Sequence, residues 1–222
     1  MSSWEQIWEF RDLLLEGFFA TFVLTVVSIL TSTVLGFLVG LGRYARVPVL
    51  DLLLRVYLEV FRGTPLLVQL LFIYFGAAYL QLEGVTVFIA ALIGMTLYQG
   101  AYISEIFRAG FESVNAGQRE AATTLGMSRL SITKNVVFPQ TLPVVLAPLF
   151  GQYLTLVKNT ALASTISYYD IVRQGQVIIN HGANSFDVYL VVAAMFFIIS
   201  FPLSLAARAL EKRSVTRRER AA

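Results

Sequence analysis

The sequence predicts an all-α polytopic membrane protein with about five transmembrane helices. Hydrophobic residues make up 57% of the 222 residues and the mean hydropathy is +0.70, whereas soluble domains are about 45–50% apolar. Five separate segments are apolar over the roughly 20 residues that a helix needs to cross a bilayer. Lysine and arginine collect at the ends of these segments, as topological signals do. The net charge of +3 therefore does not indicate a nucleic-acid partner.

The five predicted spans follow one another along most of the chain. The first starts among acidic residues and lacks the basic start and small-residue cleavage site of a secretory signal, so we expect it to be retained. The second continues past Pro65, a residue type that interrupts helices. The spans cover about 13–41, 52–80, 86–107, the stretch from Pro143 to 157, and 188–210.

Charge asymmetry predicts the orientation of these spans. Thirteen of the 17 lysines and arginines form three clusters, at 43–55, 108–134 and 208–220, and five spans place all three clusters on one side of the membrane. The opposite side holds the N-terminus and the segment 159–187, whose only lysine or arginine is Arg173. We therefore expect an external N-terminus and a cytoplasmic C-terminus.

A single domain accounts for the whole sequence. We expect one membrane domain over 1–222 with its core at 17–210, a cytoplasmic loop at 111–139, and a basic cytoplasmic tail at 211–222. Within this tail, 212–220 is expected to be disordered and to lie near anionic lipid. No connection between spans is long enough for a separate enzyme domain. The chain is therefore not expected to be an enzyme.

The loop at 111–139 is expected to form two short helices. Apolar residues recur at helical spacing in its first half and predict an amphipathic helix. Gly126 is expected to end this helix, and Ser128 is the predicted N-cap of a second helix that extends to Val136. An amphipathic helix at a membrane surface either lies on lipid or docks a partner, and the spacing alone leaves both open. The apolar positions are Phe111, Val114, Ala121, Ala122 and Leu125.

Three motifs, one in this loop and two in the preceding spans, resemble those of a known family. Glu120-Ala121-Ala122, Gly126 six residues after the glutamate, and the ending Val136-Val137-Phe138-Pro139 resemble the EAA loop of ABC-transporter permeases. The stretches 61–69 and 101–108 are similar to the polar amino-acid importer branch, whose members take histidine, glutamine, glutamate, arginine or opines. The resemblance extends over most of the chain.

This resemblance implies a type I importer permease in a bacterial cytoplasmic membrane. In the family, the EAA loop is the handle by which a separate ATPase moves the membrane subunit. Asn115 stands where the branch usually has proline, a departure that affects only the start of the docking helix. The residues expected to contact the ATPase are Gln118, Glu120, Ala121, Ala122 and Gly126.

The resemblance also implies several partners. The 222 residues contain no Gly-x-x-x-x-Gly-Lys-Ser/Thr phosphate loop, so ATP and Mg²⁺ are expected in a separate ATPase dimer, with no cofactor, metal or catalytic residue in this chain. The other expected partners are a second permease copy or paralogue, an extracytoplasmic amino-acid-binding protein, the amino-acid substrate and the lipid bilayer. Gly36-x-x-x-Gly40 permits close helix packing, either within the chain or at a dimer seam.

Polar groups inside the spans predict the substrate path, because they are costly in a bilayer and seldom kept without a role. A helix that restarts near Pro65 would direct N–H groups at an anion such as an α-carboxylate. Arg62 either adds a bidentate contact or pairs with Glu59. The mid-span side chains Gln99 and Tyr102 can bind a zwitterion. The expected substrate contacts are Arg62, Gly63, Thr64, Gln69, Gln99, Tyr102, Lys158, Asn159, Thr160 and Ser164.

Asn159 bears on the charge of the substrate. The segment 158–164 resembles one that borders the site in the family, where importers of cationic amino acids often have a carboxylate in place of Asn159. A neutral amide beside Lys158 favours a neutral or acidic amino acid. Glu105 and Arg108 are expected to form a structural ion pair. The alternative function is an ion-coupled secondary amino-acid carrier, which commonly has more spans and inverted repeats.

Overall fold

The computed structural model describes residues 2–219, with side chains through Lys212, and every regular element in that range is helical. A π-helical turn over Thr133–Val137 joins the seventh helix to the eighth, and a 3₁₀ segment over Thr160–Ile166 follows the eighth. The α-helices are α1 (Ser3–Glu9), α2 (Arg11–Tyr44), α3 (Pro48–Gly63), α4 (Leu66–Tyr79), α5 (Val87–Glu112), α6 (Ala116–Thr124), α7 (Arg129–Ile132), α8 (Phe138–Asn159), α9 (Ile171–Asn180) and α10 (Ser185–Glu219).

The helices confirm a polytopic membrane protein. Within the described residues, four helical runs are long and apolar enough to cross a membrane, namely α2, α5, Arg129–Ile166 and Ser185–Lys212, and the α3–α4 pair makes a fifth crossing if its arms are counted together. The second predicted span is not straight, because α3 and α4 meet at 106°. Pro65 causes this break, since it lacks an N–H group and disfavours helical backbone at the residue before it.

The fourth span begins earlier than predicted. The helical run starts at Arg129 and passes through both Pro139 and Pro143 without a break. Pro139 lies in the first turn of α8, where a missing N–H group is tolerated. In the π-helical turn before it, the Phe138 N–H group bonds the Thr133 carbonyl, a shift to i→i+5 pairing. Proline therefore marks the start of α8 but does not separate it from the loop.

Close packing of α2 against α5 forms the centre of the bundle. A methyl group built on Gly36 would lie 2.5 Å from Ile103 Cγ2, and one on Gly40 would lie 2.6 Å from the Ser104 carbonyl oxygen. The glycine pair therefore lets α2 approach α5 within the same chain. This observation supports the intramolecular role of the two alternatives that the sequence left open.

Three stretches are more helical than the sequence suggested. The segment after α8 contains α9, whose N-cap is Asp170, and α1 precedes the first span. The expectation of a disordered tail is wrong for 212–219, because α10 continues to Glu219. That stretch contains no glycine or proline to end the helix. Residues 220–222 of the predicted tail lie outside the described residues.

Candidate substrate cleft and docking surface

The break between α3 and α4 is held together by two polar side chains. The Gln69 amide nitrogen donates to the Phe61 carbonyl at 2.9 Å, the Thr64 carbonyl at 3.1 Å and the Thr64 hydroxyl at 2.8 Å. The Thr64 hydroxyl donates to the Val60 carbonyl at 2.8 Å. These bonds satisfy carbonyl groups that the end of α3 leaves without helical partners. Thr64 and Gln69 thus stabilise the bend, and Gln69 is only 8% exposed.

An open polar cleft of about 270 Å³ lies beside this break and is lined by Leu58, Glu59, Arg62, Gly63 and Tyr102. The Arg62 guanidinium carbon lies 5.3 Å from the centre of the Tyr102 ring, which is a cation–π contact between α3 and α5. The volume is just below the roughly 300–1,000 Å³ of pockets for drug-sized ligands, which suits a small polar molecule. The fold thus brings Arg62 and Gly63 of α3 together with Tyr102 of α5 around one cleft, whereas the sequence did not indicate that these two segments meet.

The cleft presents one charge of each sign. Glu59 and Arg62 both line it, yet no ion pair joins them among the described side chains. The sequence left open whether Arg62 binds a ligand or pairs with Glu59, and the structure does not form that pair. A guanidinium group can bind a carboxylate in bidentate fashion, and a carboxylate accepts hydrogen bonds from an ammonium group.

Gln99 lies away from the cleft, in the contact between α5 and α8. Its side chain is 1% exposed, and its amide nitrogen donates to the Gln152 carbonyl at 3.0 Å and to Gln152 Oε1 at 2.7 Å. Buried polar groups need such partners, because an unpaired one is costly. In this arrangement Gln99 holds two helices together and contacts protein on all sides.

The segment from Lys158 to Ser164 also lies outside the lining of the cleft. Lys158 is exposed and Asn159 is half-buried at the end of α8. Thr160 and Ser164 are buried and donate to carbonyl groups three residues earlier, each at 2.7 Å. These two hydroxyl groups stabilise the 3₁₀ segment, which packs against α4.

An ion-pair network joins α2, α3 and α5 one turn beyond Tyr102. The predicted pair is confirmed, since Arg108 lies 3.0 Å from the Glu105 carboxylate. Arg43 of α2 also pairs with Glu105 and lies 3.4 Å from Asp51 of α3. Glu112 extends the network, at 2.7 Å from Arg108. The sequence did not predict that Arg43 joins this network, because Glu105 is distant from it along the chain.

The loop at 111–139, called the docking loop below, contains two short helices as the sequence predicts. The second, α7, ends at Ile132 and continues through the π-helical turn into α8 instead of stopping at Val136. Asn115 caps α6 by accepting the Gly117 N–H at 2.8 Å. After α6, Gly126 has a φ of +78°, its N–H bonds the Thr123 carbonyl, and the Met127 N–H bonds the Ala122 carbonyl. This pair of bonds is a Schellman motif. Gly126 therefore ends α6 as predicted, and its positive φ explains why glycine stands there.

The predicted apolar face of the docking loop is only partly correct. Phe111, Val114 and Ala122 are buried in the core below the loop, at 0%, 5% and 5% exposure. Leu125, however, is 82% exposed, and Ala121 is exposed as well. The prediction extended one helical repeat across a break, because α5 ends at Glu112 and α6 starts at Ala116. The repeat counted from Phe111 therefore fails in α6.

The outer surface of the loop is a mixed polar and apolar patch, and sequence reasoning missed part of it. Glu120 and Gln118 are exposed. Leu125 and Leu130 are 82% and 77% exposed. Large apolar side chains on a polar connection are a signal of a binding surface, and this signal was available in the sequence. We call the exposed residues of 118–130 the docking surface.

The docking surface rests on a fixed base. The Arg119 guanidinium donates to the Tyr44 hydroxyl at 3.2 Å, which connects α6 to the end of α2. The Tyr44 ring lies 5.3 Å from the Phe111 ring, and the Phe37 ring lies 5.3 Å from Phe107 and 5.8 Å from Phe138. Aromatic packing thus joins α2, α5 and α8 directly below the loop, and the bond from Arg119 to Tyr44 connects α6 to this packing.

At the far end of the bundle, α9 begins at a buried carboxyl group. Asp170 is 0% exposed, and its Oδ1 accepts the Arg173 N–H at 2.8 Å. Burial raises the pKa of Asp170 to about 7, against the lowering effect of hydrogen bonds from the backbone N–H groups of Arg173 and Val172. The carboxyl group therefore titrates near neutral pH.

Comparison with known proteins decides the family. The family model described as "Binding-protein-dependent transport system inner membrane component" matches residues 32–216. The chain belongs to this family. The match includes the cleft, the docking surface and the helical bundle that connects them. The recognition of a permease from its EAA sequence is thus confirmed.

Two relatives at the sequence level are described as glutamine permeases. The probable glutamine ABC transporter permease protein GlnP of Bacillus subtilis strain 168 is 35% identical over 201 residues, which cover 89% of this chain and 92% of that protein. The glutamine transport system permease protein GlnP of Escherichia coli K12 is 35% identical over 212 residues, which cover 95% and 96%. These similarities support an ABC permease subunit with a transport role.

Two solved structures share the fold. The crystal structure of an amino acid ABC transporter with histidines has a TM-score of 0.84 at 30% identity and covers 93% of this chain and 96% of its own. An inward-facing structure of the MetNI methionine ABC transporter has a TM-score of 0.74 at 20% identity and covers 90% and 97%. The second likeness bears on fold alone. Both agree with the type I permease fold that the sequence predicts.

Proposed function

We propose that this permease is the membrane subunit of an importer for polar amino acids, with neutral or acidic substrates favoured over cationic ones. The observation that carries the proposal is the cleft at the helix break, where Arg62 and Glu59 offer one charge of each sign without pairing. The relatives described as glutamine permeases support a neutral substrate. Asn159, an amide next to Lys158, supports the same preference.

The cleft would bind the part that all amino acids share. Arg62 donates to the α-carboxylate, Glu59 accepts from the α-ammonium group, and Tyr102 holds the guanidinium in place through its ring. Gly63 leaves the backbone open to the ligand, and Thr64 and Gln69 keep the break in shape. Of the remaining predicted contacts, Lys158 and Asn159 are proposed to border the route beyond the cleft. The buried residues Gln99, Thr160 and Ser164 are proposed to support its walls from within the protein.

The docking surface would receive the motion of a partner ATPase. Glu120 offers a carboxylate to basic or N–H groups of the partner, Leu125 fills an apolar cleft, and Gly126 keeps the helix short. Ala122 faces inward and fixes α6 to its base, while Gln118 and Ala121 complete the exposed side. ATP and Mg²⁺ are proposed to be bound by an ATPase dimer, and this chain is proposed to hold no cofactor or metal of its own.

The proposed assembly sits in a bacterial cytoplasmic membrane. The basic clusters support a cytoplasmic docking surface and an external N-terminus. A second permease, either a copy or a paralogue, completes the pathway, and an extracytoplasmic binding protein delivers the amino acid. The ion-coupled carrier that the sequence left open has no observation in its favour, since this family is described as binding-protein-dependent.

Uptake by the reconstituted complex tests this proposal. The permease, its ATPase and its binding protein are placed in vesicles, and uptake of labelled glutamine, glutamate, histidine and arginine is measured. We expect glutamine or glutamate to be preferred, and uptake to stop when the ATPase is replaced by a variant that cannot hydrolyse ATP. Preferential arginine uptake would contradict the assignment of neutral or acidic substrates. Uptake driven by an ion gradient with the inactive ATPase would contradict ATP hydrolysis as the energy source.

A further inference from the structure

The short helix α1 presents two tryptophans outward from the protein. Trp4 is 53% exposed and Trp8 is 70% exposed, whereas Ile7 between them is 7% exposed. These are the only tryptophans among the 222 residues. Two large aromatic side chains one helical turn apart therefore share an open face, while the opposite face packs on the bundle.

Tertiary contacts hold α1 in a fixed position. The Ser3 hydroxyl accepts the Asn184 N–H at 3.0 Å, and the Phe10 ring lies 4.8 Å from the His181 ring. Ile7 belongs to the same buried cluster as Ile178 and Ala183. The helix is thus attached to the connection between α9 and α10, so both tryptophans are held at a set height relative to the spans.

The surroundings of the two tryptophans have the chemistry of a membrane interface. On one side, α2 begins at Arg11 and soon exposes large apolar residues, among them Leu15, Phe19 and Phe22. On the other side, α1 carries exposed carboxylates. The Arg11 guanidinium lies 5.4 Å from the centre of the Trp8 ring, so a charged group and an amphipathic ring meet where the apolar stripe starts. Tryptophan is enriched at this level of membrane proteins.

We propose that α1 is an interfacial helix that binds the phospholipid headgroup region through Trp4 and Trp8. The occupant of its open face is lipid, because the face continues the exposed apolar surface of α2 and is bordered by charged groups. Anchoring α1 sets the depth of α2 and of the α9–α10 connection in the bilayer. This inference goes beyond the transport function and does not depend on which substrate is carried.

Tryptophan fluorescence tests the placement directly, because all of the emission comes from α1. The full-length wild-type chain is reconstituted into phosphatidylcholine vesicles that contain lipids brominated either near the headgroup or near the end of the acyl chain. We expect the shallow bromines to quench most of the emission and the deep bromines to quench clearly less. Aqueous iodide is expected to quench weakly.

A matched variant calibrates the depth. In a W4F/W8F background, Phe22→Trp moves the single tryptophan to the exposed stripe of α2, about 16 Å beyond Arg11 at ~1.5 Å per residue, close to the middle of a hydrocarbon core roughly 30 Å thick. We expect this variant to show the reverse order, with deep bromines quenching more. Strong iodide quenching of wild type without lipid quenching would overturn the proposal in favour of a water-facing helix. Absence of quenching by both iodide and brominated lipid would overturn it in favour of a protein-facing helix. Equal quenching of wild type and the Phe22→Trp variant by deep bromines would overturn the interfacial depth.

Discussion

The helix break and the docking surface use their side chains in opposite ways. At the break, the polar residues Thr64 and Gln69 turn toward the protein and bond its backbone. On the docking surface, the apolar residues Leu125 and Leu130 turn outward. Backbone N–H and carbonyl groups inside a membrane must find hydrogen-bond partners within the protein. The polar side chains of this break are therefore bonded to the backbone and are not available to a ligand. The Schellman turn after α6 satisfies its own backbone, which leaves its neighbours free to bind a partner.

The largest effect that this comparison predicts is at the docking surface. Leu125→Asp places a charge where we propose an apolar contact, and loss of such a contact costs about 2 kcal/mol or more, roughly a 30-fold loss of ATPase affinity. Co-purification of the ATPase with the permease measures it. Since Leu125 is 82% exposed, the variant should fold normally. The control is Leu82→Asp, the same change at a 53% exposed leucine between α4 and α5, which should leave the complex intact.

The sequence predicts the parts of these two regions that depend on neighbouring residues, and misses those that depend on residues distant in the chain. Hydropathy located α2, α5 and α10, because a span is a local average over about 20 residues. Hydropathy predicted 52–80 as one span, because an averaged hydropathy contains no information on the direction of the helix axis. The 106° bend depends on the backbone at Pro65. The end of α6 at Gly126 was predictable from the presence of glycine at that position. The burial of Gln99 was not, because its partner Gln152 is distant in the chain.

The next effect is expected in the cleft. Arg62→Gln removes the guanidinium group proposed to bind the α-carboxylate, and loss of a charged hydrogen bond costs about 1.5–3 kcal/mol, or roughly 10–100-fold in substrate affinity. The concentration dependence of uptake measures this change, while the thermal midpoint should stay near wild type. Arg55→Gln is the control, because Arg55 is on the same helix and pairs with Asp51 at 2.6 Å. If both variants lower uptake equally, the cleft is not the binding site.

A stability effect without a substrate effect is expected at Gln69. Gln69→Leu keeps the volume but leaves the Phe61 and Thr64 carbonyls without their donor, which costs about 1–3 kcal/mol. Thermal unfolding in detergent should show this loss, and uptake per folded molecule should be unchanged. Gln140→Leu is the matched control, because the exposed Gln140 amide bonds the Val136 carbonyl at 2.8 Å and water can replace it. A weaker substrate affinity for Gln69→Leu at normal stability would instead make Gln69 a ligand contact.

The smallest effect on transport is expected at Asp170, where the buried carboxyl group can titrate and the change is one of stability. Its pKa rises from 3.8 to about 7 on folding, so the folded state holds the proton more tightly and stability falls as pH rises between these values. Asp170→Asn keeps an N-cap acceptor without the charge. Its thermal midpoint should exceed that of wild type by a few degrees above pH ~7 and converge with it near pH ~4. A thermal midpoint of Asp170→Asn that stays the same distance from wild type at every pH would contradict this prediction.

Measuring ATP hydrolysis and glutamine uptake in the same vesicles tests the central claim most directly. The claim is that the cleft binds the substrate and the docking surface transmits the motion of the ATPase. For Arg62→Gln we expect hydrolysis to continue while uptake falls, and for Leu125→Asp we expect both to fall together. Wild-type uptake by Arg62→Gln, or wild-type hydrolysis and uptake by Leu125→Asp, would contradict this division of roles.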